Sequence, residues 1–310
     1  MRSNPAPPQP GRDSEMAQFF AMDKGDAQLL EAQVRSRIEA EPEVMNWYAL
    51  LDAGFDYGRS QPRLPGTTWP LYCQPEWGEL RDASPLLVEV PWEEPHALSK
   101  LLRHCQGRPM LAFVASSLDA QALCDAWQRC LQVETEDGQG YLLRFADTRI
   151  AAVLPQALHP ASWQRLCAPL RQWLIVDRVG NMQPLALPQE QALANEEDTW
   201  VLSNEEMAAL LQESLPDTLA DQLHDHFPDL LPPSGAQLHG WLQRAGLRLA
   251  EQGVENAPDQ LTLAVAVCLS QGRLLEDARL PPLLAKCAAQ NIALSDGLAE
   301  LLEEDEYARD

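Results

Sequence analysis

"LLRFADTRI", residues 142–150, joins an apolar run to an arginine, an aromatic, an aspartate and a second arginine. Phe145 continues the in–out alternation of a strand. Asp147 then stands where a helix N-cap belongs, directly before Thr148, Arg149 and Ile150. An N-cap aspartate accepts backbone N–H bonds and favours the helix dipole. Arg149, just inside the helix, or Arg144, across the strand, can pair with it. The stretch therefore reads as a capped, charge-paired corner between a strand and a helix. Direct contact with a ligand or partner is the competing role.

Working outward, strands and helices alternate on both sides of this corner. "LQVETEDGQGYLLRFAD" reads as a β-hairpin turning at Asp137–Gly138. "RPMLAFVASS" is a buried strand, and Ser117 or Asp119 can cap the helix that follows. "NWYALLDAGF" and "SPLLVEV" are strands, and "EPHALSKLLRHCQG" is a helix with proline early and glycine late. Beyond the corner come a helix to about Leu158, another around Ser162–Cys167, and a second hairpin, "RQWLIVDRVGNMQPLAL", turning at Gly180–Asn181. Asp26–Glu41 suits an amphipathic helix with Leu29, Leu30, Val34 and Ile38 inward. The expected fold is an α/β lobe, a mixed sheet flanked by helices, over residues 18–187. Residues 1–17, Pro-rich and polar, read as a disordered tail.

"PQEQALANEEDTW" reads as a polar linker over residues 188–200. After it, helix signals dominate, with "LTLAVAVC" the one possible strand. Ser203 and Glu206 form a capping box. Residues 201–310 are expected to be an all-α C-terminal lobe.

The chain has 310 residues, 45% of them apolar, and a net charge of −23. From residue 188 onward there are 23 acids against 6 bases, so the acidity belongs mainly to the last third. Such a balance argues against nucleic acid, whose phosphates need Lys and Arg, and against an anionic membrane surface. It fits either a well-solvated surface or a docking face for a basic partner, with Glu205/Glu206 and Glu303/Glu304/Asp305/Glu306 as exposed clusters. The seven cysteines include no CxxC and favour a reducing cytoplasm. The N-terminus has no apolar core of a signal peptide, and no run is long enough for a membrane span.

The sequence offers no phosphate loop, no HExxH and no GxSxG. His224 and His226 read as a solvated helix end. Glu76, Glu79 and Asp82 read as the polar face of a helix near Arg81, although paired carboxylates can do acid–base work. His104 and Cys105 are neighbours that a helix points apart. No catalytic, cofactor or metal residue is assigned.

Six strings, in order from Trp47 to Asp177, resemble one known family. They are "YALLDAG", "LYCQPEWGELRDASPLLVEV", "GRPMLAFVASS", "LLRFADTRI", "LP" at Leu154–Pro155, and "APLRQWLI". They are similar to the domain of unknown function numbered 4123, the effector adaptor-chaperones of bacterial type VI secretion. The fourth string resembles the family's FRFYDPRVL pattern. Ala146 stands in place of the usual aromatic and Thr148 in place of proline, which leaves the Arg–Phe–x–Asp–x–Arg frame intact. The resemblance implies a non-enzymatic, cytoplasmic protein that binds a toxic effector and helps load it onto the VgrG spike. It marks Tyr48, Asp52, Tyr72, Arg144, Phe145, Asp147, Arg149 and Trp173 as structural or partner-binding positions. The rival readings are an immunity protein whose acidity neutralises a basic toxin, and an enzyme using the Asp147/Arg149 corner or the Glu76/Glu79 face.

Overall fold

The computed structural model describes residues 19–40, 45–58, 64–90, 92–94, 96–189, 200–254, 256–290 and 292–307. The expected tail, residues 1–17, lies outside the described residues, as does most of the expected linker. Helix α1 (Ala27–Ala40) leads into strand β1 (Asn46–Asp52). Next come β2 (Thr68–Pro70), β3 (Pro85–Glu89), α2 (Ala97–Cys105), β4 (Leu111–Ser116) and α3 (Ala120–Leu131). The hairpin β5 (Gln132–Thr135) and β6 (Gly140–Leu142) precedes α4 (Thr148–Ala157), α5 (Pro160–Cys167), β7 (Gln172–Val176) and β8 (Met182–Pro184). Asp119, not Ser117, caps α3, accepting from the Ala122 N–H at 2.8 Å.

Six strands form one sheet in the order β2-β3-β1-β4-β7-β8. Every neighbouring pair in it is antiparallel. The register aligns Tyr48 with Val114 and Val114 with Trp173, so these three side chains share one face. That face packs under α3, α4 and α5 through Leu123, Trp127, Leu154 and Trp163. Trp47, Ala49, Leu51 and Phe113 fill the opposite face against Leu30 and Val34 of α1 and Leu98, Leu101 and Leu102 of α2. A sheet covered on both sides needs continuous apolar runs, which explains why all six residues of β4 are buried. Leu29 departs from the expected amphipathic pattern. It is 50% exposed, because the α1 stripe centres on Leu30 and Val34.

The β5–β6 hairpin belongs to a second, three-stranded sheet, completed by β9 (Val201–Leu202). β9 runs parallel to β5 and is, among the described residues, the one strand after residue 188. Trp200, expected in the linker, is buried in the core of the α/β lobe, with Leu202 beside it. The helices α6 (Asn204–His226), α7 (Gly235–Ala250), α8 (Ala257–Leu269), α9 (Leu280–Gln290) and α10 (Leu294–Tyr307) follow.

"LTLAVAVC", the possible strand, lies within α8. The Asn256 side chain caps that helix at the Asp259 N–H (2.9 Å), and Pro258 sits in its first turn. Leu263, Ala264 and Val267 recur at helical spacing inside two cores, and this packing overrides the strand preference of valine. The 75–83 stretch is likewise not the regular helix expected. It is a 3-10 segment, Pro75–Ala83, kinked at Trp77, with Glu76, Glu79 and Asp82 exposed.

Both lobes grip residues 19–25. Phe20 and Met22 enter the α/β core, while Ala21 enters the core of α6, α7 and α8. Gly25 passes so close to the turn after β7 that an added Cβ would lie 2.2 Å from the Gly180 carbonyl oxygen. Gly235, opening α7, would place a Cβ 2.3 Å from the Met22 nitrogen. Asp23 accepts from the Ser234 hydroxyl at 2.8 Å. Among the described residues, no helix is long and apolar enough to cross a membrane.

Candidate functional site

The corner is built where β6 gives way to α4. The Leu143 N–H bonds the Leu131 carbonyl at 2.7 Å and the Thr148 N–H bonds the Pro109 carbonyl at 2.9 Å, so both ends of the turn are anchored. Phe145 enters the core between Trp127 (5.2 Å between centroids) and Trp173 (6.1 Å, edge-on). Ala146 is fully buried.

Asp147 is 2% exposed and caps α4, accepting from the Arg149 N–H at 3.0 Å. Of the two candidate partners, Arg149 makes the pair, donating through Nε at 3.1 Å and Nη2 at 2.8 Å. Arg144 turns instead to Asp52, 92 residues away, at 2.8 Å. Asp52 ends β1 with no exposed surface and also accepts from the Gly54 N–H at 3.0 Å. A Cβ at Gly54 would lie 2.9 Å from Asp52 Oδ1 and 3.1 Å from Arg144 Nη2, so a larger residue there would displace the pair. Both guanidinium groups lie over the Phe55 ring, at 5.1 Å for Arg144 and 5.5 Å for Arg149, and Arg149 also faces Phe20 at 5.7 Å.

A third ion pair completes the cluster and was missed from sequence. Asp56 bonds Arg108 at 2.8 Å and His104 at 2.9 Å, while Arg108 also holds the Phe55 carbonyl. No local pattern joins residues so far apart in the chain. The only available hint was an arginine between the helix-ending Gly107 and a buried strand.

Burial raises the Asp52 carboxyl above its ordinary range. Arg144 pulls it back, and the nearby charge of Asp147 pushes it up again. Burial pushes Asp56 the same way, but bonds from His104 and Arg108 outweigh it and leave its pKa lowered. Burial opposes the charged form of Arg149, yet Asp147, Asp217 and Asp221 together raise its pKa.

The other candidate positions line the core beside this cluster. Tyr48 and Trp173 sit on the sheet face. Burial pushes the Tyr48 hydroxyl up to about 12, and it donates to the Leu118 carbonyl at 3.2 Å. Trp173 stacks on Trp163 at 5.7 Å. Tyr72 packs edge-on against Trp77, its hydroxyl pushed up to about 12 by burial and by the charge of Asp52.

Chemically, each of the corner's two aspartates is occupied by a backbone N–H and an arginine. The arrangement fixes the angle between β1, the turn and α4. Among the described residues, no group of three or more His, Cys, Asp or Glu is placed to hold a metal ion. Cys73 is exposed and the other six cysteines are buried. Burial pushes the thiols of Cys124 to about 12 and of Cys130 and Cys268 to about 11.

Arg149 also faces the second lobe. Its Nη1 lies 3.9 Å from Asp217 of α6, and Asp217 takes a bidentate bond from Arg178 at 2.6 and 2.8 Å. At the start of α6, the capping box is present: Glu206 accepts from the Ser203 N–H at 2.8 Å. Its other oxygen accepts from the His159 N–H at 2.7 Å. Glu206 is thus buried, and not part of an exposed acidic cluster.

The fold and site define an antiparallel α/β domain, two-sided and braced by arginine–aspartate pairs, with an acidic helical lobe seated against it. Residues 47–165 match the family described as Domain of unknown function (DUF4123). The match runs from β1 into α5; β7, with Trp173, completes the sheet beyond it. No curated protein matches the chain, and no solved structure does.

Proposed function

We propose that this chain is a non-enzymatic adaptor. It binds a protein effector, a toxin, in the cytoplasm and promotes its loading onto the VgrG spike of a type VI secretion system. The observation that carries this reading is the DUF4123 match over residues 47–165. The intact Arg144–Phe145–x–Asp147–x–Arg149 frame within it supports the reading further. In it the charged groups brace a rigid face, which suits a protein that presents surface to a partner. The acidic lobe supplies long-range attraction for a basic cargo, an effect that acts mainly on the rate of encounter.

The test is a pull-down from a type VI-active cell with the full chain as bait. Co-purification of a toxin together with a spike protein is expected. Recovery of neither overturns the adaptor reading. With the recovered cargo, surface plasmon resonance across a salt series should show an on-rate that falls as salt rises, with a smaller change in off-rate.

A further inference from the structure

We propose that the groove between α4 and α6 seats an arginine or lysine side chain of the protein partner. This deepens the adaptor reading and rests on it for the identity of the partner. The groove encloses about 230 Å³. Its floor is apolar, formed by Ile150 and Val153 of α4 and Leu210 of α6, all partly exposed. Glu213, Asp217 and Asp221 line it from α6, with Ser214 and Thr218 between them, and Arg149 lines it from α4. An apolar floor under an acidic wall matches a long basic side chain, whose methylene stem packs on hydrocarbon while its charged head reaches a carboxylate.

The local charge is unbalanced in the direction that such a guest would correct. Arg149 is taken by Asp147, and Arg178 by Asp217. Among the described residues, neither the Glu213 nor the Asp221 side chain makes a hydrogen bond or a salt bridge. Partial burial raises the Asp221 carboxyl; Arg149 opposes this, and Asp217 and Asp225 add to it. A cation entering the groove relieves that repulsion. The two walls come from different parts of the chain. α4 belongs to the DUF4123 segment and α6 to the acidic lobe, so the groove exists only while the two are seated together.

The probe is a short capped peptide carrying one arginine between two leucines, titrated into methyl-labelled full-length protein and followed by NMR. The methyl signals of Ile150, Val153 and Leu210 should shift. A peptide with neutral citrulline in place of arginine should leave them unmoved. Glu213→Gln combined with Asp221→Asn, both at exposed positions, should weaken binding about fivefold, the loss of two half-solvated charge contacts. Shifts confined to other methyls, equal shifts with the citrulline peptide, or unchanged affinity in the double variant would overturn the proposal. The two readings fail separately. A bait that recovers no cargo removes the adaptor reading, whereas cargo held equally by wild type and double variant removes the groove alone.

Discussion

Replacing Asp147 tests what the corner does. In Asp147→Ala, α4 loses the acceptor for the Arg149 N–H, which costs about 1 kcal/mol, the usual worth of an N-cap side chain. The larger effect is on the guanidinium left behind. Orphaning one member of a fully buried ion pair costs about 3–5 kcal/mol. The Arg149 side chain keeps 22% of its surface and still has Asp217 at 3.9 Å, so its share is reduced to about 2 kcal/mol. The sum for Asp147→Ala is therefore about 3 kcal/mol. Asp147→Asn keeps an oxygen for the cap but not the charge, and should lose about 2 kcal/mol. Adding Arg149→Met to Asp147→Ala removes the orphan, so the double variant should be more stable than the single one. Urea unfolding followed by tryptophan fluorescence is the assay, because Trp127 and Trp173 flank Phe145 on the same corner. A loss below about 1 kcal/mol in Asp147→Ala, less than a cap alone, would refute the reasoning. So would a double variant less stable than its parent.

Arg144→Gln should destabilise more at neutral than at acid pH. Burial raises the Asp52 pKa in the folded state, so the native form binds the proton more tightly and stability falls as pH rises through that interval. Losing Arg144 enlarges this penalty, and the variant should be compared with its parent at each pH, since Asp56, shifted down, loses stability on acidification in both. A pH-independent difference would place the effect elsewhere. Gly25→Ala and Gly235→Ala should each cost about 1–3 kcal/mol in thermal melts, because the new methyl meets backbone atoms that cannot swing aside. If a protease site is placed between residues 190 and 199 and cut, the halves should elute together in gel filtration, held by Trp200, Glu206, Asp217 and the 19–25 strap; separate elution would show that these contacts are too weak to hold them.

Half of the corner was legible because half of it is local. Asp147 and Arg149 are two residues apart, and a cap followed by a helical pattern is written in the order of the residues. The Asp52–Arg144 pair spans 92 residues and depends on β1 and the end of β6 meeting, which no periodicity records. The same holds for Asp56, Arg108 and His104. The inner strands β3, β1, β4 and β7 were readable because burial leaves apolar runs, whereas β2, three partly exposed residues at the sheet edge, carries no such run and was not read. In α8 that signal misled: an apolar, valine-containing run is the same for a buried helix as for a buried strand, and the Asn256 cap ahead of it was the better guide. Glu206 was legible as a capping residue. Its second bond, to the His159 N–H, is what takes it off the surface.

Arg149 joins two questions that the sequence poses separately: why the corner carries a second arginine, and how a lobe with 23 acids against 6 bases from residue 188 onward is held in place. A strongly acidic lobe repels itself and gains from any cation that its neighbour can present. The α/β domain presents Arg149 and Arg178, and both reach Asp217. Arg149 thereby makes the geometry of the corner and the seating of α6 depend on the same guanidinium. Asp217→Asn and Asp147→Asn should then differ in kind. The first leaves the cap of α4 intact and loosens only the lobe; the second disturbs both. If the partner reads a face composed from α4 and α6 together, both substitutions weaken its binding. If it reads the α/β domain alone, Asp217→Asn leaves binding unchanged.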